Sequence, residues 1–266
     1  MLVYVATYPR CGAALLRDTI ALNWGYATAN LYASVQWPRE LNTKPTSHSA
    51  LVSYQREGQP SRMMLASPCR EALTTDLRAA LAADANLFFV KTHERPPADP
   101  IAGEVAVQLV RHPAGAISSQ HRLHQKYHET TPCLAHFSEG SDTGGRWDQY
   151  HQAWGASGLP LMRLRFEDVV VRPLDLVEAL SDFLGLPMPA EPRGMSAQAA
   201  HERNPYRNPI TGPDGWMEQI TAGDALRIWN RHKMVAKLFG YHMHGIAAPF
   251  TSPETGNRRQ HQVLSA

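Results

Sequence analysis

Three short stretches carry side chains able to hold an anion and move a proton. The first is Tyr8-Pro9-Arg10-Cys11-Gly12-Ala13-Ala14-Leu15. A loop entering a helix offers free N–H groups and the positive end of the helix dipole. Gly12 lets backbone approach a ligand, and Arg10 adds a fixed charge, so a phosphate or sulfate cradle fits. It is not a Walker A loop, because no GxxxxGK[ST] occurs and no hydroxyl is placed for Mg²⁺. The second stretch is Val110-Arg111-His112-Pro113 through Ser118-Ser119. Arg111 ends a strand with a planar phosphate-gripping fork, and Ser119, about two helical turns on, supplies a hydroxyl. The third is Lys91-Thr92-His93 at another strand end. A histidine there could take a proton from an attacking hydroxyl, its ordinary pKa being about 6.5. Each stretch also has a plain reading: a βα turn with a surface arginine, a proline-started helix, and a structural histidine.

Placing these loops together requires alternating strands and helices. Leu2 to Ala6 reads as a buried strand, and apolar spacing from Ala13 to about Asn23 reads as a helix. Residues from about Trp24 to Pro68 are irregular in pattern, a long loop of the kind used as a lid or substrate loop. Ser67-Pro68 leads into a helix through about Ala83, and Asn86 to Val90 is a second buried strand. Val105 to Val110 and Leu161 to Phe166 are further strands. Pro113 opens a helix to Tyr127, and Pro173 opens another that Gly185 and Pro187 stop. Thr221, with Asp224 three residues on, starts a last helix closed by Gly240. The alternation predicts an α/β fold with a mainly parallel sheet flanked by helices. Residues 1–246 are expected to form a single domain, with 247–266 as a flexible tail.

Composition narrows the partners. The 266 residues are 43% hydrophobic and 19% charged, which suits a folded core, and the net charge is only +2. That balance argues against a nucleic-acid-coating protein and leaves room for a few local cations. Cys11, Cys69 and Cys133 form neither a CxxC pair nor a disulfide framework, which predicts a reducing compartment. No basic leader precedes an apolar run at the start, and no stretch approaches the roughly 18 apolar residues of a membrane span. A soluble cytoplasmic protein is the expectation.

In this order the three loops resemble those of the PAPS-dependent sulfotransferases, PAPS being 3′-phosphoadenosine-5′-phosphosulfate. YPRCG before a helix resembles the family's P-loop-like 5′-phosphosulfate loop. VRHPAGAISS resembles its 3′-phosphate motif, and FFVKTHERP its Lys-Thr-His segment. Leu164 to Val169 with the helix ending at Gly185, and Gly212 to Trp216, are similar to two further family segments. The resemblance spans residue 4 to about 241. It implies that Arg10 meets the bridging oxygen of the donor and that backbone N–H groups of Cys11, Gly12, Ala13 and Ala14 hold the 5′-phosphate. It implies that Arg111 and Ser119 bind the 3′-phosphate, joined by Arg207, with Arg203 as competitor for that place. Lys91 would steady the sulfuryl oxygens and His93 would deprotonate the acceptor. Leu15 stands where a tryptophan often stacks on adenine and Phe166 where a tyrosine is usual, so adenine would pack on apolar groups. Cys11, Ala13 and Ala14 replace hydroxyl residues.

His121, His124 and His128 share one helical face, but a solvated face or pocket wall accounts for them better than a metal, and no metal is expected. Trp147, Trp154, Trp216 and Trp229 read as core or pocket wall. Cys11 near a helix start and Arg10 would have a lowered thiol pKa, which keeps a cysteine nucleophile as a rival. A nucleotide-dependent kinase-like transferase and a shell that binds the bisphosphate product PAP without turnover are two further alternatives. The expected partner is a small-molecule acceptor carrying a hydroxyl. A homo-oligomer is compatible with the sequence.

Overall fold

Leu2–Ala6 (β1) is buried at every position, and its side chains alternate between two cores. Leu2, Tyr4 and Ala6 enter one cluster and Val3 and Val5 the other. Because a strand's side chains alternate with a period of two, a strand apolar on both sides must lie inside a covered sheet. The computed structural model, which describes residues 1–32, 50–55, 60–140, 145–196, 202 and 214–246, places it there. Five strands run in the order β2-β5-β1-β6-β7 and every pairing is parallel. They are β2 (Thr28–Asn30), β5 (Phe88–Thr92), β6 (Glu104–Val110) and β7 (Leu161–Arg165) around β1.

Two helices, α1 (Ala13–Trp24) and α7 (Pro173–Leu184), cover the Val3 face. On the Tyr4 face lie α2 (Thr75–Ala83), α5 (Trp147–Gly155) and α8 (Ala222–Leu238). Two shorter helices, α4 (Leu134–Glu139) and α6 (Phe166–Val171), and the long α3 (Pro113–Tyr127) complete the described helices. Local chemistry sets their ends. Proline starts α3 and α7, left-handed Gly185 ends α7, and the Thr221 hydroxyl accepts the Asp224 N–H at 3.1 Å to cap α8.

The expected strands and long helices hold, with three differences. The helix expected from Ser67-Pro68 starts only at Thr75, because the Thr74 hydroxyl caps it by accepting from Leu77 N–H at 3.3 Å. The stretch read as irregular contains β2 and an antiparallel hairpin of β3 (Leu51–Tyr54) and β4 (Arg62–Leu65). The last expected strand stops at Arg165, and Phe166 opens α6 instead. After α8, Tyr241–His242 (β8) and Gly245–Ile246 (β9) pair antiparallel. The expected tail, Arg203 and Arg207 lie outside the described residues. Among those residues, no helix is long and apolar enough to cross a membrane.

Far from the carboxyl edge, a buried ionic knot fastens the amino end of β6. Glu104 accepts from Tyr4 OH at 2.7 Å, from Arg78 Nε and Nη2 at 2.8 Å each, and from the Ile101 N–H at 2.9 Å. Burial opposes ionisation here, but these donors together hold the Glu104 carboxyl below its ordinary value. Its contribution is therefore present above the ordinary carboxylate pKa and lost as pH falls through the depressed folded one. Glu104→Ala strands the Arg78 charge, and an unfolding titration is expected to show a loss of about 3–5 kcal/mol. A loss below about 1 kcal/mol would show that the knot is dispensable.

Candidate functional site

All five strands end at the same edge of the sheet, and the loops leaving β1, β5 and β6 meet there. The chain runs from β1 to one side of the sheet and later crosses to the other, so β1 marks the place where connections reverse. Ligands of open α/β sheets bind at that point, outside the carboxyl ends of the strands.

The loop after β1 is shaped by two left-handed residues, Arg10 (φ 67°) and Gly12 (φ 97°). A Cβ on Gly12 would lie 2.8 Å from the Phe166 ring and 3.0 Å from Leu109, so only glycine fits. The first i−4 bond of α1 runs from Leu16 N–H to Gly12 carbonyl at 3.0 Å. The N–H groups of Ala13, Ala14 and Leu15 are thus left to partners beyond the helix start. The Leu15 side chain lies in the core between α1 and α7, with Phe166 packed at its margin. Cys11 corrects an expectation. Its side chain is wholly buried, and burial pushes the thiol up to about 12 instead of lowering it. Its backbone N–H donates to the Tyr8 carbonyl at 3.1 Å, and the cysteine-nucleophile rival falls with the thiolate.

The loop after β6 joins the first. Arg10 Nε donates to Ser119 Oγ at 3.0 Å, and Arg111 Nη1 donates to the Arg10 carbonyl at 3.2 Å. Trp147 fixes the Arg111 backbone by donating its indole N–H to that carbonyl at 3.1 Å. The Arg111 guanidinium lies 4.7 Å from the centre of the Phe166 ring, a cation–π contact. Gly115 makes room beside it, since a Cβ there would sit 3.1 Å from both Arg111 Nε and Trp216 Cδ1. Arg111 Nε, Arg122 Nε and Trp216 Nε1 are buried and find no hydrogen-bond acceptor among the described residues. Buried donors without acceptors are costly. Burial lowers the pKa of Arg111 and of Arg122, and the Arg111 charge lowers Arg122 further.

The loop after β5 carries His93. His93 Nδ1 lies 2.5 Å from the Thr7 carbonyl oxygen. A carbonyl only accepts, so Nδ1 carries the proton and Nε2 keeps a lone pair. Burial first, then the charge of Lys91 with those of Arg10 and Arg17, lowers His93 to about 3. The imidazole is neutral at physiological pH although part of its surface stays open. Lys91, Arg10 and Arg17 thus form one field around the base. Arg17 and Arg122 escaped the sequence reading. The available signal was spacing alone, Arg17 four residues after Ala13 on α1 and Arg122 three after Ser119 on α3. Farther along α3, the His124 and His128 rings stack at 3.9 Å, and no group of three metal-ligating side chains occurs among the described residues.

A parallel sheet flanked by helices, with Arg10 in the loop at its reversal point and Arg111 before the next helix, has a fold already seen in solved structures. It is the sulfotransferase fold. The chain is similar in structure to mouse sulfotransferase SULT7A1 complexed with PAP, at 10% identity and a TM-score of 0.57, covering 89% of this chain and 84% of that one. It is also similar to a retinol dehydratase in complex with androsterone and the inactive cofactor PAP, at 15% identity and a TM-score of 0.51, covering 89% and 80%. At such identities the likeness is one of fold. No protein-family profile and no curated protein sequence matches the chain.

Three histidines at or near the site give the fold an acid edge. Burial is the first cause lowering His93 to about 3, His112 to about 4 and His151 well below its ordinary value. The unfolded chain takes up these protons at about pH 6.5, so stability falls as pH drops below that value. Between pH 7 and pH 5 the loss is expected to be about 2 kcal/mol for each of His112 and His151, and less for part-exposed His93. A thermal midpoint equal at the two pH values would refute it.

Proposed function

We propose that this chain is a sulfotransferase that moves the sulfuryl group of PAPS to a hydroxyl of a small-molecule acceptor. The observation that carries this reading is the buried Arg111 fork, whose Nε lacks an acceptor beside the Arg10–Ser119 bond. In this reading Arg111 and Ser119 hold the 3′-phosphate, with Arg122 and the Trp216 N–H beside them and Arg207 as a further arginine. The backbone from Gly12 to Ala14 holds the 5′-phosphate, and part-exposed Phe166 offers apolar surface to adenine, Leu15 being buried in the core. Bound PAPS supplies an activated sulfuryl group on a good leaving group. His93 accepts the acceptor's proton at Nε2, and Lys91 and Arg10 stabilise negative charge at the sulfuryl and bridging oxygens. A guanidinium has a pKa above about 12, so Arg10 stabilises charge and does not donate a proton. Its bond to Ser119 couples the two ends of the donor site.

The low basicity of His93 is part of this reading. Burial first, then Lys91, Arg10 and Arg17, depress it, and a bound anion opposes the part due to their field and returns that share of basicity to Nε2. His93 is then the strongest base when the donor is present. The absence of hydroxyls at Cys11, Ala13 and Ala14 favours a second reading, a shell that holds PAP without turnover.

Titration calorimetry with adenosine 3′,5′-bisphosphate, AMP and ATP tests the donor site. Binding of the bisphosphate is expected to exceed that of AMP and ATP, and Arg111→Ala to weaken it about 10- to 100-fold, or about 1.5–3 kcal/mol. No binding, or preference for ATP with Mg²⁺, overturns the proposal. His93→Ala separates the two readings. An enzyme is expected to keep bisphosphate affinity and lose about 10²–10⁴-fold in turnover with PAPS and a phenolic acceptor. Undetectable turnover in the parent protein across a panel of hydroxyl acceptors would leave the binding shell.

A further inference from the structure

Ser138, His232 and Asp148 meet away from the donor site, brought together from α4, α8 and α5. His232 Nε2 lies 3.3 Å from Ser138 Oγ, and His232 Nδ1 lies 3.2 Å from Asp148 Oδ1. The contacts span 94 and 84 residues of sequence, so the tertiary fold alone creates them. Asp148 is itself oriented, accepting from Arg146 Nε at 3.1 Å and Arg146 Nη2 at 2.8 Å. All three side chains are buried. A carboxylate only accepts, so the neutral imidazole keeps its proton on Nδ1 and turns the Nε2 lone pair toward the serine hydroxyl. Nucleophile, base and orienting acid stand in the relation that activates serine elsewhere, at the looser distances common before substrate binds. Burial by itself opposes ionisation of Asp148, but the bonds from His232 and Arg146 hold its carboxyl well below the usual range.

A second observation gives the trio a direction. Ser138 lines a cleft of about 410 Å³ between α4 and α8, whose other walls mix apolar Leu134 and Ile228 with the paired charges Glu139–Arg231 and Asp224–Arg227. That volume falls within the range of small-ligand pockets, roughly 300–1,000 Å³.

We infer that Ser138 is the nucleophile of a second site, which accepts the acyl group of a small ester. Ser138 Oγ attacks the ester carbonyl carbon while its proton passes to His232 Nε2. The ester C–O bond breaks, and the alkoxide leaves as an alcohol with that proton. Water then attacks the acyl-serine, its proton passes through His232 to the departing Ser138 oxygen, and a carboxylic acid is released. The site uses none of the residues placed at the donor site and stands or falls independently of the sulfotransferase reading.

A fluorophosphonate probe tests it on the full chain, since Ser138 Oγ would replace fluoride on phosphorus. Intact mass and peptide mapping are expected to show one adduct, on Ser138, in native protein and none after heat denaturation. Ser138→Ala is expected to abolish the adduct, and the isosteric Asp148→Asn to slow it about 100-fold or more, with circular dichroism confirming that both remain folded. His93→Ala is expected to label at the parent rate. No adduct on Ser138 in the parent protein, or an Asp148→Asn rate equal to the parent's, would reduce the trio to a fastening of three helices.

Discussion

Keeping one guanidinium charged and buried at the carboxyl edge of the sheet is the constraint around which this structure is arranged. Arg111 makes no ion pair among the described residues, and its Nε lacks an acceptor there. A buried charge without compensation is costly, and several features make this one tolerable. Trp147 ties its backbone, the Phe166 ring lies against its plane, and the Arg10 carbonyl accepts from Nη1. Gly12 and Gly115 give up side chains so that Phe166 and the guanidinium fit. Glu167, nearby and buried, opposes the burial penalty on Arg111 while accepting from the His112 N–H and Tyr241 OH.

That arginine is one of a group. Arg10, Arg17 and Lys91 surround His93, and Arg122 adjoins Arg111, in a chain whose net charge is only +2. The positive field is therefore local. Burial first and this field second hold His93 neutral at physiological pH, and the field's share responds to an entering anion. Cys11 sits close to the same charges but is wholly buried, and desolvation outweighs them. Burial is the largest cause at both groups; the nearby charges add to it at the histidine and oppose it at the thiol.

The opposite face of α5 carries a polar arrangement of another kind. Trp147 donates to the Arg111 carbonyl, and one residue on, Asp148 orients His232. Trp147, Tyr150, His151 and Trp154 form the buried aromatic side of that helix, while Gln152 and Gly155 stay exposed. A single two-turn helix therefore braces the donor site and completes the serine trio.

Local signals in the sequence determined much of this protein. Buried runs marked β1, β5, β6 and β7, and Pro113, Gly185 and Thr221 marked helix ends, because caps and periodicity act over a few residues. They also set Arg10, Arg111, Ser119, Lys91 and His93 at strand ends or helix starts, which in a parallel sheet means one edge. Strands as short as β2, β3 and β4 carry too few residues to show a period. The Trp147, Tyr150, His151 and Trp154 spacing was present but reads equally as pocket wall. Only the tertiary structure decided the direction of the Cys11 shift, the tautomer of His93, the place of Arg17 and Arg122, and the meeting of Ser138 with His232 and Asp148. Those depend on burial and on contacts between residues far apart in the chain, and a one-dimensional pattern carries neither quantity.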